Sequence, residues 1–315
     1  MSLQHAIDLL YEDKFIPLAQ WLLKTFPVEK LVGDIGDYRL KVNLGGVELP
    51  SPVILSSQHY DPRILEKYMR MGFGAVTTKT ITPEPRQGHP KVTLVRRGSG
   101  LVNCNGFKNP GMATYKEILQ GMHRTKPLIV SVAGDTAEEY GALVKTLGPY
   151  SDLSELDISS PNRNSVYSIS SDKGKAREIF ARSRDGTDKP IIVKLSPDFE
   201  DSNYGFIIPA AIESGINIIN FGNTRRIEEP RLSQGFGGYS GPDLFNNVLN
   251  NIRRIRKLFG YDIQLIATGG IDSPKKAYQL LKYAHADAVS YFTASRSPSG
   301  LFLAQRINRH LLDQP

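Results

Sequence analysis

Apolar residues along this chain recur with two different periods, and the switch between the periods marks its elements. Leu3, Ala6, Ile7, Leu10 and Tyr11 share one helical face, and after Pro17 the residues Leu18, Trp21, Leu22 and Phe26 do the same as far as Pro27. Two short amphipathic helices are predicted. Helices this short are marginal alone, so they pack on the main body in the first reading, with a partner or a lipid surface as alternatives. Leu40, Val42 and Leu44 then alternate up to Gly45-Gly46, and Val47 and Leu49 resume the alternation, which predicts a hairpin with a glycine turn.

From there short apolar runs predict strands at 53–56, 75–79, 128–133, 155–158, 191–195, 216–220, 264–268 and 286–291. Helical patterns lie between them, for example at 62–71, 136–147, 202–214, 241–258 and 273–283, and 299–312 closes the chain. Strand–helix alternation implies parallel pairing, and eight such units in roughly 260 residues is the size of a (β/α)8 TIM barrel. An open doubly wound sheet is the structural alternative. The expected organisation is an α/β barrel over 39–315 preceded by an N-terminal helical extension over 1–38.

Composition narrows the class without changing that picture. With 315 residues, 40% hydrophobic and 23% charged, the chain can bury one large core. A net charge of +7 and a pI near 9.3 suit an anionic ligand, an acidic membrane surface or nucleic acid. The basic residues nevertheless gather only in short pairs such as Arg96-Arg97, Arg225-Arg226 and Arg253-Arg254, so a solvated basic surface is the better reading and nucleic acid is not favoured. A single cysteine, Cys104, allows no intrachain disulfide and no cysteine-built zinc or iron–sulfur site. A reducing cytoplasm fits. Neither a signal peptide nor a membrane span is indicated, and a peripheral contact with the inner face of the cell membrane through residues 1–38 stays open.

In a barrel, chemistry belongs at the C-terminal ends of the strands. Those ends carry Ser57-Gln58-His59, then Lys79 with Asn103, Asn105 and Asn109 in the loop beyond it, then Asp157 and Ser159-Ser160-Pro161-Asn162. Lys194, Asn220-Phe221-Gly222-Asn223, Thr268-Gly269-Gly270 and Phe292-Thr293 follow. Residues 156–162 read by themselves as a turn; two lysines emerging from apolar strands at the same rim make them a candidate site. The glycine-rich runs 235–241 and 268–270 each precede a helical pattern, where bare backbone N–H groups and the helix dipole favour phosphate. A phosphate anchor with two lysines, several amides and no metal-ligand cluster describes a phosphorylated cofactor that does its own chemistry. FMN is the candidate, because a lysine near its N1/O2 edge stabilises the charge that builds up on reduction.

Seven motifs now stand in order: TKTITPEPRQGHP (78–90), NCNGFKNPG (103–111), ISSPN (158–162), VKLSPD (193–198), GFGGYSG (235–241), ATGGI (267–271) and YFTA (291–294). Through them the chain from about residue 40 to 311 resembles the dihydroorotate dehydrogenases, FMN-dependent barrels of pyrimidine synthesis. The resemblance implies that Lys79 contacts flavin and substrate, that Lys194 lies at the flavin N1/O2 edge, and that Ser57 is a further flavin-side residue. Asn103, Asn162 and Asn220 match substrate amides, and Gly238, Gly269, Gly270, Phe292 and Thr293 match the phosphate cradle. Ser160 matches the base that takes the C5 proton of dihydroorotate while hydride leaves C6 for flavin N5. Serine is a weak base and needs a water chain, or an Asn or Thr partner, to carry the proton away.

The class features are mixed. Serine at 160 and the ITPEPRQG, NGF and VKLSPD runs lean to the quinone-linked class, whereas Lys79 leans to the soluble class, whose members are often homodimers. The acceptor implied is a quinone, fumarate, or a separate iron–sulfur and flavin electron-transfer subunit. Three positions depart from the family pattern: Asp157 replaces an asparagine on the pyrimidine, Gln58 a glycine near the flavin, and Phe221 a small hydroxyl residue. A carboxylate only accepts hydrogen bonds, and its charge about 4 Å from the orotate carboxylate costs on the order of 4 kcal/mol at an effective dielectric of 20. Another dihydropyrimidine is therefore an alternative small-molecule substrate. A tRNA dihydrouridine synthase, which the basic pI suits, and a non-catalytic flavin-binding protein are the remaining alternatives.

Overall fold

The computed structural model describes residues 19, 21–160, 169, 172–198 and 201–314. Eight parallel strands close into a barrel: β3 (Val53–His59), β4 (Ala75–Thr78), β7 (Leu128–Val132), β8 (Leu153–Asp157), β9 (Ile191–Leu195), β10 (Ile218–Phe221), β13 (Gln264–Thr268) and β14 (Ala288–Tyr291), with β14 pairing back onto β3. Helices return the chain between strands, including Ala137–Leu147, Lys173–Asp185 and Phe245–Phe259. The fold is therefore the (β/α)8 barrel. Strands buried on both faces read as nearly continuous apolar runs, which is why β7, β8 and β9 are buried at every position.

The barrel interior changes character within one step of the pleat. Ile54, Ala75, Ile129, Leu153, Ile192, Ile218, Ile266 and Ala288, one from each strand, form a closed apolar layer. The predicted hairpin, β1 (Val42–Leu44) and β2 (Val47–Leu49), plugs its lower end with Leu44 and Leu49, both fully buried. Gln264 ties the plug down, accepting from Gly45 N–H at 2.6 Å and donating to Asn43 O at 2.7 Å. Residues two apart on a strand face the same side. The next inward positions are Ser56, Thr77, Ser131, Glu155, Lys194, Asn220, Thr268 and Ser290, all buried and all polar. An apolar base thus carries a polar layer, which forms the floor of the cavity above it.

A second sheet forms the roof. The order β11 (Arg225–Glu228), β12 (Phe236–Ser240), β6 (Gly100–Asn103), β5 (Leu94–Arg97) is antiparallel throughout. The expectation that 235–241 is a glycine-rich, phosphate-binding loop leading into a helix is corrected in its local structure, because most of that run is β12. Gly237 shows why glycine is needed in it: a Cβ there would stand 2.6 Å from Asn103 O on the neighbouring strand. The β5–β6 hairpin, closed by Gly98-Ser99, was not foreseen either.

The described part of the N-terminal segment packs on the barrel. Leu23, Val28 and Val32 enter the main core, and Lys67 Nζ donates to Phe26 O at 2.9 Å. The helix expected over residues 3–11 lies outside the described residues.

Candidate active site

A cavity of about 770 Å³ opens between the C-terminal rim of the barrel and the roof sheet. Ser57, Lys79, Asn103, Asp157, Ser160, Lys194, Gly269, Gly270, Phe292 and Thr293 all line it. The sequence-predicted residues are thus brought together from seven strands or the loops that follow them. Asn220 belongs to the polar layer level with Lys194 and does not itself line the cavity. Gly238 lies in mid-strand in β12, paired with Asn103 and Arg226, and its neighbours Ser240 and Gly241 line the cavity in its place. Asn162 lies outside the described residues. Asn109 serves the loop instead of the cavity, donating to Thr82 Oγ1 at 2.8 Å and accepting from Gly111 N–H at 2.8 Å.

The floor is a buried ion cluster. Lys194 Nζ stands 3.3 Å from Glu155 Oε1, Asn220 Nδ2 donates to Glu155 Oε2 at 2.7 Å, and Thr268 Oγ1 donates to Asn220 Oδ1 at 2.6 Å. Burial works to lower the Lys194 pKa, but Glu155 and Asp157 together outweigh it and the net shift is upward. Lys194 is a fixed positive charge facing the cavity. Glu155, which sequence reasoning passed over, was legible from alternation, since it shares the inward face with Asp157.

Asp157 Oδ1 accepts from Asn223 Nδ2 at 3.2 Å and from Ser159 N–H at 3.3 Å, and Thr80 Oγ1 lies 3.4 Å from Oδ2. Burial, aided by Glu155, pushes its pKa up against the pull of Lys194, the Ser159 N–H and Thr80. Ser160, next to this group, is 6% exposed and faces the cavity.

Lys79 stands across the cavity, half-buried, just past β4. Burial first, then the charges of Arg296 and Lys108, lower its pKa to about 8. Arg296, also on the cavity wall, has a lowered pKa through burial and lies 5.6 Å from the Phe292 ring centroid. Lys79, Arg296 and Arg96 give this side a positive field.

The ends of β13 and β14 and the turn after β12 make the third wall. Gly270 has φ +73°, and a Cβ on it would meet Phe245 N at 2.3 Å, so only glycine lets this backbone lie against the start of the Phe245–Phe259 helix. Thr293 Oγ1 donates to Ser240 Oγ at 2.9 Å. Gln58 fastens the wall to β3: its Nε2 donates to Ser295 Oγ at 2.9 Å, and Ser295 Oγ donates to Phe292 O at 2.6 Å. Phe221 points away from the cavity into the strand–helix core, where it meets the Tyr204 ring edge-on at 5.8 Å. Its size therefore leaves the site unchanged.

Comparison with known proteins bears out the family resemblance. The family profile described as dihydroorotate dehydrogenase matches residues 39–314. The catalytic subunit of dihydroorotate dehydrogenase B (NAD(+)) from Pyrococcus abyssi is 35% identical over 263 residues, covering 81% of this chain and 87% of that protein. Dihydroorotate dehydrogenase (quinone) from Cereibacter sphaeroides strain KD131 is 30% identical over 302 residues, covering 89% and 83%. The Eimeria tenella enzyme crystallised with ferulenol superposes with a TM-score of 0.82 at 24% identity over 94% of this chain and 90% of that one, which shows the shared fold. The chain belongs to the dihydroorotate dehydrogenase family, whose members are flavin-dependent oxidoreductases acting on CH–CH groups.

Proposed function

We propose that this protein oxidises dihydroorotate to orotate with FMN as its flavin. The observation that carries the reading is the meeting of Lys79, Asp157, Ser160 and Lys194 in one cavity with the glycine-backed ends of β13 and β14. FMN fits the residues present: the backbone at Gly269-Gly270, Gly241 and Phe292-Thr293 faces the cavity with room for a phosphate, and Lys194 supplies a buried positive charge on the floor. When bound, the flavin supplies the hydride acceptor.

The chain's own residues then divide the work. Ser160 takes the C5 proton, Lys79 and Arg296 attract the anionic substrate, and Asn103 with the Asp157 neighbourhood holds the ring. Asn103 is preset for this by donating to Gly238 O at 3.3 Å and accepting from Asn105 Nδ2 at 3.4 Å. Relatives with NAD(+)-linked and quinone-linked names match over similar spans, so electrons leave to a quinone or to an electron-transfer subunit. Trp21, Phe26 and Leu31 stay 51%, 45% and 78% exposed on the N-terminal segment, which supports treating residues 1–38 as the surface for that exchange or for a membrane.

Anaerobic mixing tests the reading. Dihydroorotate should bleach the flavin absorbance of the purified protein, and bleaching by dihydrouracil in its place would redirect the substrate. Ser160→Ala should slow the bleaching by at least about a hundredfold, the usual worth of a positioned base; an unchanged rate would remove Ser160 from that role.

A further inference from the structure

Glu155 and Asp157 face the barrel interior two residues apart on β8, and Lys194 is the one ammonium on the neighbouring β9, in register with Asp157 and paired with Glu155. Their exposures are 2%, 4% and 6%. Lys194 pairs with Glu155, and among the described residues no cation lies within 4.0 Å of the Asp157 carboxyl. Two ionised carboxylates would leave one buried negative charge unbalanced, which low-dielectric surroundings penalise heavily. One proton on the cluster restores neutrality.

The hydrogen bonds decide where that proton sits. Glu155 has the ammonium on one oxygen and the Asn220 amide on the other, and both favour an anion. The contacts of Asp157 are longer: Asn223 at 3.2 Å, the Ser159 N–H at 3.3 Å and Thr80 at 3.4 Å. Thr80 Oγ1 also lies 3.0 Å from Ser131 Oγ and 3.4 Å from Ser57 Oγ, so its own proton has other acceptors. From the helix packed outside β8, Tyr140 donates to the main-chain oxygen of Asp157 at 2.9 Å and leaves the carboxyl alone. Among the described residues, the titratable groups facing Asp157 are therefore Glu155, Lys194 and Tyr140.

We propose that Asp157 enters the substrate site as a neutral carboxylic acid and determines which ring edge binds there. A neutral acid presents an O–H donor beside a C=O acceptor, the pair that complements an N–H/C=O edge of a cyclic amide, whereas a carboxylate accepts only. The inference rests on the proposed pyrimidine substrate and deepens it: the ring is taken in the protonated state of the enzyme. Burial, the strongest influence on Asp157, acts in the same direction.

The state of the acid and its role are tested separately. In the full-length protein with 13Cγ-labelled aspartate, the carboxyl resonance that Asp157→Asn removes should keep its acid-form position at pH values where the other aspartates have ionised. If that resonance titrates with the others, the inference is overturned. Orotate binding, followed by the flavin spectrum, should weaken about tenfold per pH unit above that titration and lose that step in Asp157→Asn, whose amide is neutral throughout. A wild-type affinity without that step, weakened in Asp157→Asn, would overturn it as well. If orotate perturbs the flavin in neither protein, the substrate reading falls, and the aspartate resonance still decides the acid.

Discussion

Lys79 reaches the cavity from its wall and Lys194 from its floor, in opposite electrostatic surroundings. Lys194 sits beside two carboxyl groups and holds its proton, whereas Lys79 sits among Arg296 and Lys108 and lets go near pH 8. Attraction of an anion by Lys79 should therefore fade above about pH 8. Orotate affinity measured in Asp157→Asn, where the acid no longer titrates, should show this step, and Lys79→Arg in that background should abolish it, because arginine stays charged. Lys194→Met strands Glu155 as a buried anion. Denaturant titration should show a loss of about 3–5 kcal/mol, most of it recovered by adding Glu155→Gln. At this scale the sequence was informative about residue type and weak about partners. Lys194 stood out at a strand end, but its pairing with Glu155 and the turning away of Phe221 depend on which way each pleat faces.

Among the elements, the wall built by β13, β14 and the turn after β12 has the least freedom. Gly270 combines a left-handed backbone with a main-chain neighbour that cannot yield. Gly270→Ala should cost at least about 1–2 kcal/mol from conformation alone, push the 242–245 turn outward, and yield protein with little bound flavin; flavin content and melting temperature measure both effects. The strands of the barrel were readable from apolar runs because both of their faces are buried. The roof sheet was not. Its strands are short and rich in glycine and arginine, only β6 and β12 are mostly buried, and β12 pairs with β6 across more than a hundred positions of sequence, which no local pattern encodes. The Gly98-Ser99 turn between β5 and β6 was the one local signal available.

On the scale of the whole molecule, His59 reports on folding. It is buried against Tyr68, with ring centroids 5.8 Å apart, its Nε2 has no hydrogen-bond partner among the described residues, and burial followed by the charges of Arg296 and Lys79 lowers its pKa to about 3. Between about pH 6.5 and pH 3 the unfolded chain binds a proton there that the folded protein refuses, so stability falls as pH falls through that window. In the upper part of the window, where most carboxylates remain ionised, His59→Phe should lose less stability on acidification than the wild type, as melting temperatures against pH will show. Equal slopes would mean that His59 does not carry the effect. No helix among the described residues is long and apolar enough to cross a membrane.

The sequence by itself determined the alternation of apolar strands and amphipathic helices, the N-terminal hairpin and the polar rim, because burial on two faces, amphipathic periods and glycine turns are local properties of a chain. The family followed from motifs whose order survives in one dimension. Tertiary structure alone decided that Glu155 pairs with Lys194, that Asp157 has no cation of its own among the described residues, that Gly238 belongs to a roof strand and that Gln58 holds Ser295. Each of these is a distance between residues remote in sequence, fixed by barrel closure and by strand register, and a hydrophobic pattern carries no record of either.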